Sequence, residues 1–187
     1  MRSATDRHRM TYQDLLALPD DGLRHELIDG EHFVTPSPAS KHQIILGNLY
    51  RVIGTFTHAT RCGVTFFAPY DIVFTDHDVV EPDLMYFSRA RYAEVVTERN
   101  AQGPPDLVVE ILSPGTRRRD EGLKRRLYER MGVAEYWIVD PLAESVRIHR
   151  LMEGAYREAP VTHADGTFRT PLLPELEIRL DHVFEMP

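Results

Sequence analysis

Asp106-Leu107-Val108-Val109-Glu110-Ile111-Leu112, with the Ser113-Pro114-Gly115-Thr116 that follows, decides how this chain folds. The apolar run has the length and composition of a buried strand. Ser-Pro-Gly-Thr reads as a turn. Residues 117–131 then predict a basic helix ended by Gly132. Glu135-Tyr136-Trp137-Ile138-Val139-Asp140 predicts the next strand, stopped by Pro141. Glu110 is the anomaly. An ionised carboxylate inside such a strand is unfavourable by roughly several kcal/mol unless a metal, a cation or strong donors stand beside it.

Upstream, Thr11 predicts the cap of a short helix stopped by Pro19. Asp29-Gly30 marks a hairpin turn between strands near 24–28 and 31–34. After Pro36-Ser37-Pro38, Ser40 and Gln43 predict a capping box. Ile45, Leu49, Val52, Ile53 and Phe56 lie on one face of the helix that follows. Strands are expected over 64–74 and 79–87, then a polar helix near 89–99. A closing hairpin around Glu153-Gly154 and a segment at 176–180 complete the chain. The order helix, three strands, helix, strand specifies an α/β sandwich with a mixed sheet.

The 187 residues suit one domain, expected over 10–187, behind a disordered leader at 1–9. Hydrophobic content of 42% and charged content of 27% are those of an ordinary globular protein. The lone Cys62 allows no intramolecular disulfide. The polar N-terminus has no signal-peptide core, and no run reaches the ~18 apolar residues that span a bilayer. The expectation is a cytoplasmic protein without a membrane partner. A net charge of −7 repels nucleic acid at long range. Residues 117–130, however, carry seven basic and three acidic side chains. That basic helix is either a solvated face or a phosphate grip, with Arg117, Arg118 and Arg125 as candidates.

Two strand carboxylates and a lysine are the parts of a divalent-metal phosphodiesterase site. Glu110 needs a partner carboxylate. Asp106 lies on the same strand, about 13 Å away at ~3.3 Å per residue, too far to share one ion. Asp83, on a neighbouring strand, is the choice. Asp120, Lys124 and Tyr128 form one helical stripe beside the apolar Leu123 and Leu127. Lys124 therefore stands at the margin of the buried face. The bland alternatives are an exposed Asp120–Lys124 ion pair, salt-bridged strand carboxylates and a structural His42.

Glu26-Leu27-Ile28-Asp29-Gly30-Glu31, Pro36-Ser37-Pro38 with His42-Gln43, Glu81-Pro82-Asp83-Leu84, residues 105–114 and residues 132–141 stand in an order that resembles the Uma family, bacterial putative restriction endonucleases. The resemblance runs from about Met10 to Phe184. It implies a restriction-endonuclease-like core, α-β-β-β-α-β, of the PD-(D/E)XK superfamily, with flanking helices and N- and C-terminal hairpins. It places Asp83 and Glu110 at the metal-binding aspartate and acidic positions. Leu112 stands where the motif has its lysine, and the resemblance implies a lysine relocated to Lys124. His42, Asp120 and Tyr128 are accessory candidates.

The resulting expectation is an endonuclease using Mg²⁺, or Mn²⁺, on DNA, acting as a homodimer. Two rivals stand beside it. One is a non-catalytic interaction protein in which Glu110 and Lys124 form a buried salt bridge. The other is a metal-dependent hydrolase of RNA or nucleotides.

Overall fold

The structure is a computed structural model describing residues 9–187. Of the expected leader, only Arg9 falls within the described residues; its Nε donates to the Asp29 carbonyl at 2.9 Å. Helix α1 (Tyr12–Leu16) carries its capping box between Thr11 and Asp14. Strands β1 (Arg24–Ile28) and β2 (Glu31–Thr35) close at Asp29 and Gly30, both at positive φ as a tight hairpin turn demands. Helix α2 (Ser40–Thr60) follows. Its cap differs from expectation. Ala39 is the N-cap and Ser40 is already helical, so the serine hydroxyl makes no capping bond. The expected stripe does form: Ile45, Leu49 and Ile53 are buried, with Val52 and Phe56 packed on the same cluster.

Each of the next two expected strands is broken. Residues 64–74 become β3 (Gly63–Phe67) and β4 (Ile72–Thr75), and 79–87 become β5 (Asp78–Val80) and β6 (Leu84–Ser88). Both breaks contain a proline, Pro69 or Pro82, which has no N–H to give a ladder. The two arms form one long hairpin that changes sheet at the bend. β3 pairs with β6 in a seven-stranded sheet, and β4 with β5 in a four-stranded one. Asp83 lies at that corner rather than within a strand, and its carbonyl accepts from Ala68 N across the bend at 3.1 Å.

Helix α3 (Arg89–Val95) leads to β7 (Leu107–Ile111), the strand of Glu110. The expected basic helix is composite: α4 (Arg117–Arg119), a π-helical turn (Asp120–Lys124) and α5 (Arg125–Arg130). It crosses to β8 (Glu135–Asp140), which runs parallel to β7. β9 (Ser145–Met152) and β10 (Ala155–Glu158) form the expected hairpin at Glu153-Gly154. The short β11 (Thr162–His163) pairs with β9. β12 (Thr167–Thr170) and β13 (Leu173–Arg179) make a separate ribbon, and α6 (Leu180–Val183) ends the chain. This is a mixed α/β architecture with its sheets flanked by helices. Among the described residues no helix is long and apolar enough to cross a membrane.

Side-chain parity on β7 sets the site. Leu107, Val109 and Ile111 face the core cluster of α2 and the β12–β13 ribbon. Val108 and Leu112 face the opposite cluster, with Leu127 and Tyr128 of α5. The two-residue period puts Glu110 on that second face, toward the composite helix.

Candidate active site

Asp83 is held from three elements. Arg24 Nη1 of β1 donates to its Oδ1 at 2.9 Å. His42 Nε2 of α2 meets its Oδ2 at 3.1 Å, and the Ile111 amide of β7 donates to the same oxygen at 2.8 Å. Burial by itself would raise the Asp83 pKa. The charges and donors of His42, Arg24 and Ile111 prevail and hold it down to about 2. His42 Nδ1 is buried and has no hydrogen-bond partner among the described residues.

Glu110 sits next to this anchor, one residue before Ile111. Lys124 Nζ and Tyr128 Oη both donate to its Oε1, at 2.8 and 2.7 Å. Both donors land on one oxygen, and among the described residues no hydrogen bond reaches Oε2. Lys124 Nζ also lies 2.6 Å from Glu26 Oε1 of β1. The exposed Asp120–Lys124 pair that sequence allowed is not what forms, since both residues are only 2% exposed. The π turn explains how the helix delivers them. A turn with i→i+5 bonds holds more residues than the α-helical 3.6, so residues four apart fall nearly in line. Asp120, Lys124 and Tyr128 thus share one narrow stripe against the sheet. Tyr136 Oη pins the turn by donating to the Asp120 carbonyl at 3.1 Å.

These groups line a cavity of about 270 Å³ between the two sheets and the composite helix. Its wall holds four carboxylates, Glu26, Asp83, Glu110 and Asp120, against three permanent cations, Arg24, Arg119 and Lys124. Negative charge is in excess, and the titrations reflect it. Burial pushes Glu110 up to about 8; Lys124 opposes this, while Asp120, Asp83 and Glu26 add to it. Asp120 is also raised, by burial first and against the pull of Lys124. Burial disfavours the Lys124 ammonium, yet Glu110, Glu26 and Asp120 outweigh it and raise its pKa well above the ordinary value. Lys124 remains charged.

The donor chemistry fits a hard divalent cation. Such ions take oxygen ligands, and among the described residues two wall oxygens have no hydrogen-bond partner: Glu110 Oε2 and the buried Asp120 Oδ1. An ion with Asp83, Glu110 and Asp120 around it would offset the surplus negative charge. Among the described residues no three His, Cys, Asp or Glu side chains stand together as they would around a metal ion, and Lys124 Nζ fills the space between Glu26 and Glu110.

Of the residues named from sequence, Asp83, Glu110, Lys124, His42 and Asp120 share this cavity, and Tyr128 touches it through Glu110. Arg117, Arg118 and Arg125 lie outside it. Arg117 is clasped by Asp140 at 2.8 Å, Arg118 is exposed, and Arg125 approaches Glu129 at 3.9 Å. They occupy the faces of the helix turned away from the buried stripe. Asp106 stands apart too, accepting from Ser88 N at 2.6 Å as a strand-start residue. Sequence reasoning missed Arg24, Glu26 and Arg119. The signal for Glu26 was weak: in Arg24-His25-Glu26-Leu27-Ile28 it follows two polar residues and does not stand out as Glu110 does. Arg119 lies 3.4 Å from Glu26 and donates to Thr35 Oγ1 at 2.5 Å. Nothing local distinguished it from its neighbours in Arg117-Arg118-Arg119.

A sequence profile of the Uma2 family, described as putative restriction endonuclease, matches residues 12–181. A crystal structure titled as a putative nuclease belonging to DUF820, from Anabaena variabilis ATCC 29413, shares the fold with a TM-score of 0.77. The two chains are 23% identical, over 94% of this chain and 97% of that one. No curated protein matches the sequence.

Proposed function

Because the chain belongs to the Uma2 family of putative restriction endonucleases, we propose that it is a Mg²⁺-dependent endonuclease that hydrolyses phosphodiester bonds in DNA. The observation that carries this reading is the convergence of Asp83, Glu110 and Lys124 on one cavity from a sheet corner, a strand and a π turn. Asp83 and Glu110 would hold the Mg²⁺ ion, or Mn²⁺, with Asp120 close by. When bound, that ion supplies a Lewis acid for the phosphoryl oxygens and lowers the pKa of a coordinated water. The protein's own residues do the rest. Arg24 and Arg119 present charge-assisted donors to phosphate oxygens at the cavity wall. Lys124 offsets charge that grows in the transition state, and its ammonium can orient an attacking water. His42 and the Ile111 amide fix the Asp83 carboxylate. Two copies of the chain would present two such cavities to the two strands of a duplex.

The test is cleavage of plasmid, single-stranded DNA and RNA in Mg²⁺, with chelator controls. Asp83→Ala, Glu110→Ala and Lys124→Ala are expected to abolish cutting of DNA while circular dichroism shows a folded chain. Cutting that persists in all three would refute the assignment. One observation favours a second reading, a non-catalytic interaction protein: Lys124 bridges Glu26 and Glu110 as a wholly buried ion pair. That reading predicts no cleavage of any substrate and no Mg²⁺ or Mn²⁺ heat by calorimetry.

A further inference from the structure

The cleft continues past Asp83. A second lobe of about 350 Å³ shares Arg24, Pro36, Pro38, His42 and Asp83 with the cavity above. It then extends to Leu23, Gln43, Leu46, Pro69 and Glu81. The first lobe is ringed by ion pairs. In the second, Leu23, Leu46, Ala68 and three prolines form apolar wall beside polar residues, and two of those polar side chains make no hydrogen bond among the described residues. Neither the Gln43 amide nor the Glu81 carboxylate makes a side-chain hydrogen bond among the described residues. Glu81 is tied only through its backbone, N to Glu26 Oε1 and O to Arg24 Nη1.

We infer that this lobe receives one nucleobase of the substrate strand, turned out of its stack, with an exocyclic amino group facing Glu81. The inference rests on the phosphodiesterase reading above. A base taken out of a stack is held by apolar side chains against its faces and by hydrogen bonds at its edge. A pocket that sets apolar wall beside a few polar groups free to bond a ligand has that character. The lining sets the acidic Asp20, Glu81 and Asp83 against Arg24 and His42, a balance that disfavours a phosphate there. A carboxylate accepts from an amino group such as that of cytosine, whereas thymine and uracil offer an oxygen at the corresponding place. Arg24 joins the two lobes. Its Nη1 donates to Asp83 Oδ1 at 2.9 Å and to the Glu81 carbonyl at 3.3 Å. A nucleotide with its phosphate at Arg24 therefore has its base beside the second lobe. Entry is open, because Leu23 is 41% exposed and Gln43 is exposed at the mouth.

The experiment uses the full chain, Ca²⁺ in place of Mg²⁺, and a single-stranded DNA bearing 2-aminopurine at one position and fluorescein at one end. Anisotropy reports binding, and 2-aminopurine emission reports unstacking. A severalfold rise in emission at one position is expected. It should be lost in Gln43→Trp and Leu23→Trp, which fill the lobe from its mouth, while both variants melt like the wild type and still bind the strand. Thymine at that position should weaken binding by about tenfold relative to cytosine. Binding without a rise at any position, or a rise retained in both variants, overturns the inference and leaves the nuclease reading standing. A rise lost in the variants with no cleavage in Mg²⁺ supports the lobe and counts against the nuclease reading alone. Absence of strand binding overturns both.

Discussion

Glu110→Gln should make the protein more stable, and the gain should appear only as pH rises. In the folded chain the Glu110 pKa is raised from 4.5 to about 8. The native state therefore holds this proton more tightly than the unfolded state. Between those two values the native chain binds more protons, so stability falls with increasing pH and the cost is complete above about 8. Some three and a half units at ~1.36 kcal/mol each set a ceiling of about 5 kcal/mol. Relaxation and water entry around the cavity lower this to an expected ~2–4 kcal/mol. Glutamine keeps the shape and still accepts from Lys124 and Tyr128, but it carries no charge. The assay is urea unfolding of wild type and variant with chelator present, from about pH 5 to about pH 9. The two should nearly coincide at the acid end and diverge steadily through neutrality. The other titrating groups cancel in the difference. Parallel curves, or a wild type that is the more stable at the alkaline end, would refute the claim that Glu110 is a surplus carboxylate. Adding Mg²⁺ at alkaline pH should recover stability in the wild type and much less in Glu110→Gln.

Asp83 should behave in the opposite sense. Its pKa is lowered from 3.8 to about 2, so its contribution is present above 3.8 and is lost as pH falls through about 2. Asp83→Asn should cost about 2 kcal/mol near neutrality, read from urea midpoints, with the gap to wild type closing in acid. Lys124→Met leaves Glu26 and Glu110 buried without their shared cation and should destabilise the chelated protein by about 3–5 kcal/mol. Adding Glu110→Gln should return part of that loss, and strict additivity in this double-mutant cycle would show that the two groups are not coupled. Arg119→Ala should weaken DNA binding and lower its salt slope by about one, more than Arg118→Ala or Arg125→Ala; equal effects from all three would return the phosphate contacts to the outer helix faces.

What the sequence determined by itself was local. The apolar run through 107–112 identified a buried strand and marked Glu110 as the residue that did not belong. Asp29-Gly30 located a turn, and the stripe from Ile45 to Phe56 identified the face that α2 buries. These readings succeed because burial repeats with the period of the element, and that period is written in neighbouring residues. Of the candidate site, that logic reached Glu110 and the stripe of Asp120, Lys124 and Tyr128; Asp83 followed from the distance that excluded Asp106 and from the family resemblance.

The tertiary structure decided which charges meet. Pro69 and Pro82 break two apparent strands, and only the pairing of those strands in different sheets turns the break into a corner that presents Asp83 to Arg24, His42 and the Ile111 amide. The π turn that aligns Asp120 with Lys124 has no local signature, and it is anchored by Tyr136 from a separate strand. Glu26 and Arg119 enter the cavity from elements more than ninety residues apart in the chain. The physical reason is range. A periodic apolar pattern specifies a face through neighbours, whereas a buried carboxylate finds its counter-charge through long-range packing and register, which no short stretch of sequence encodes.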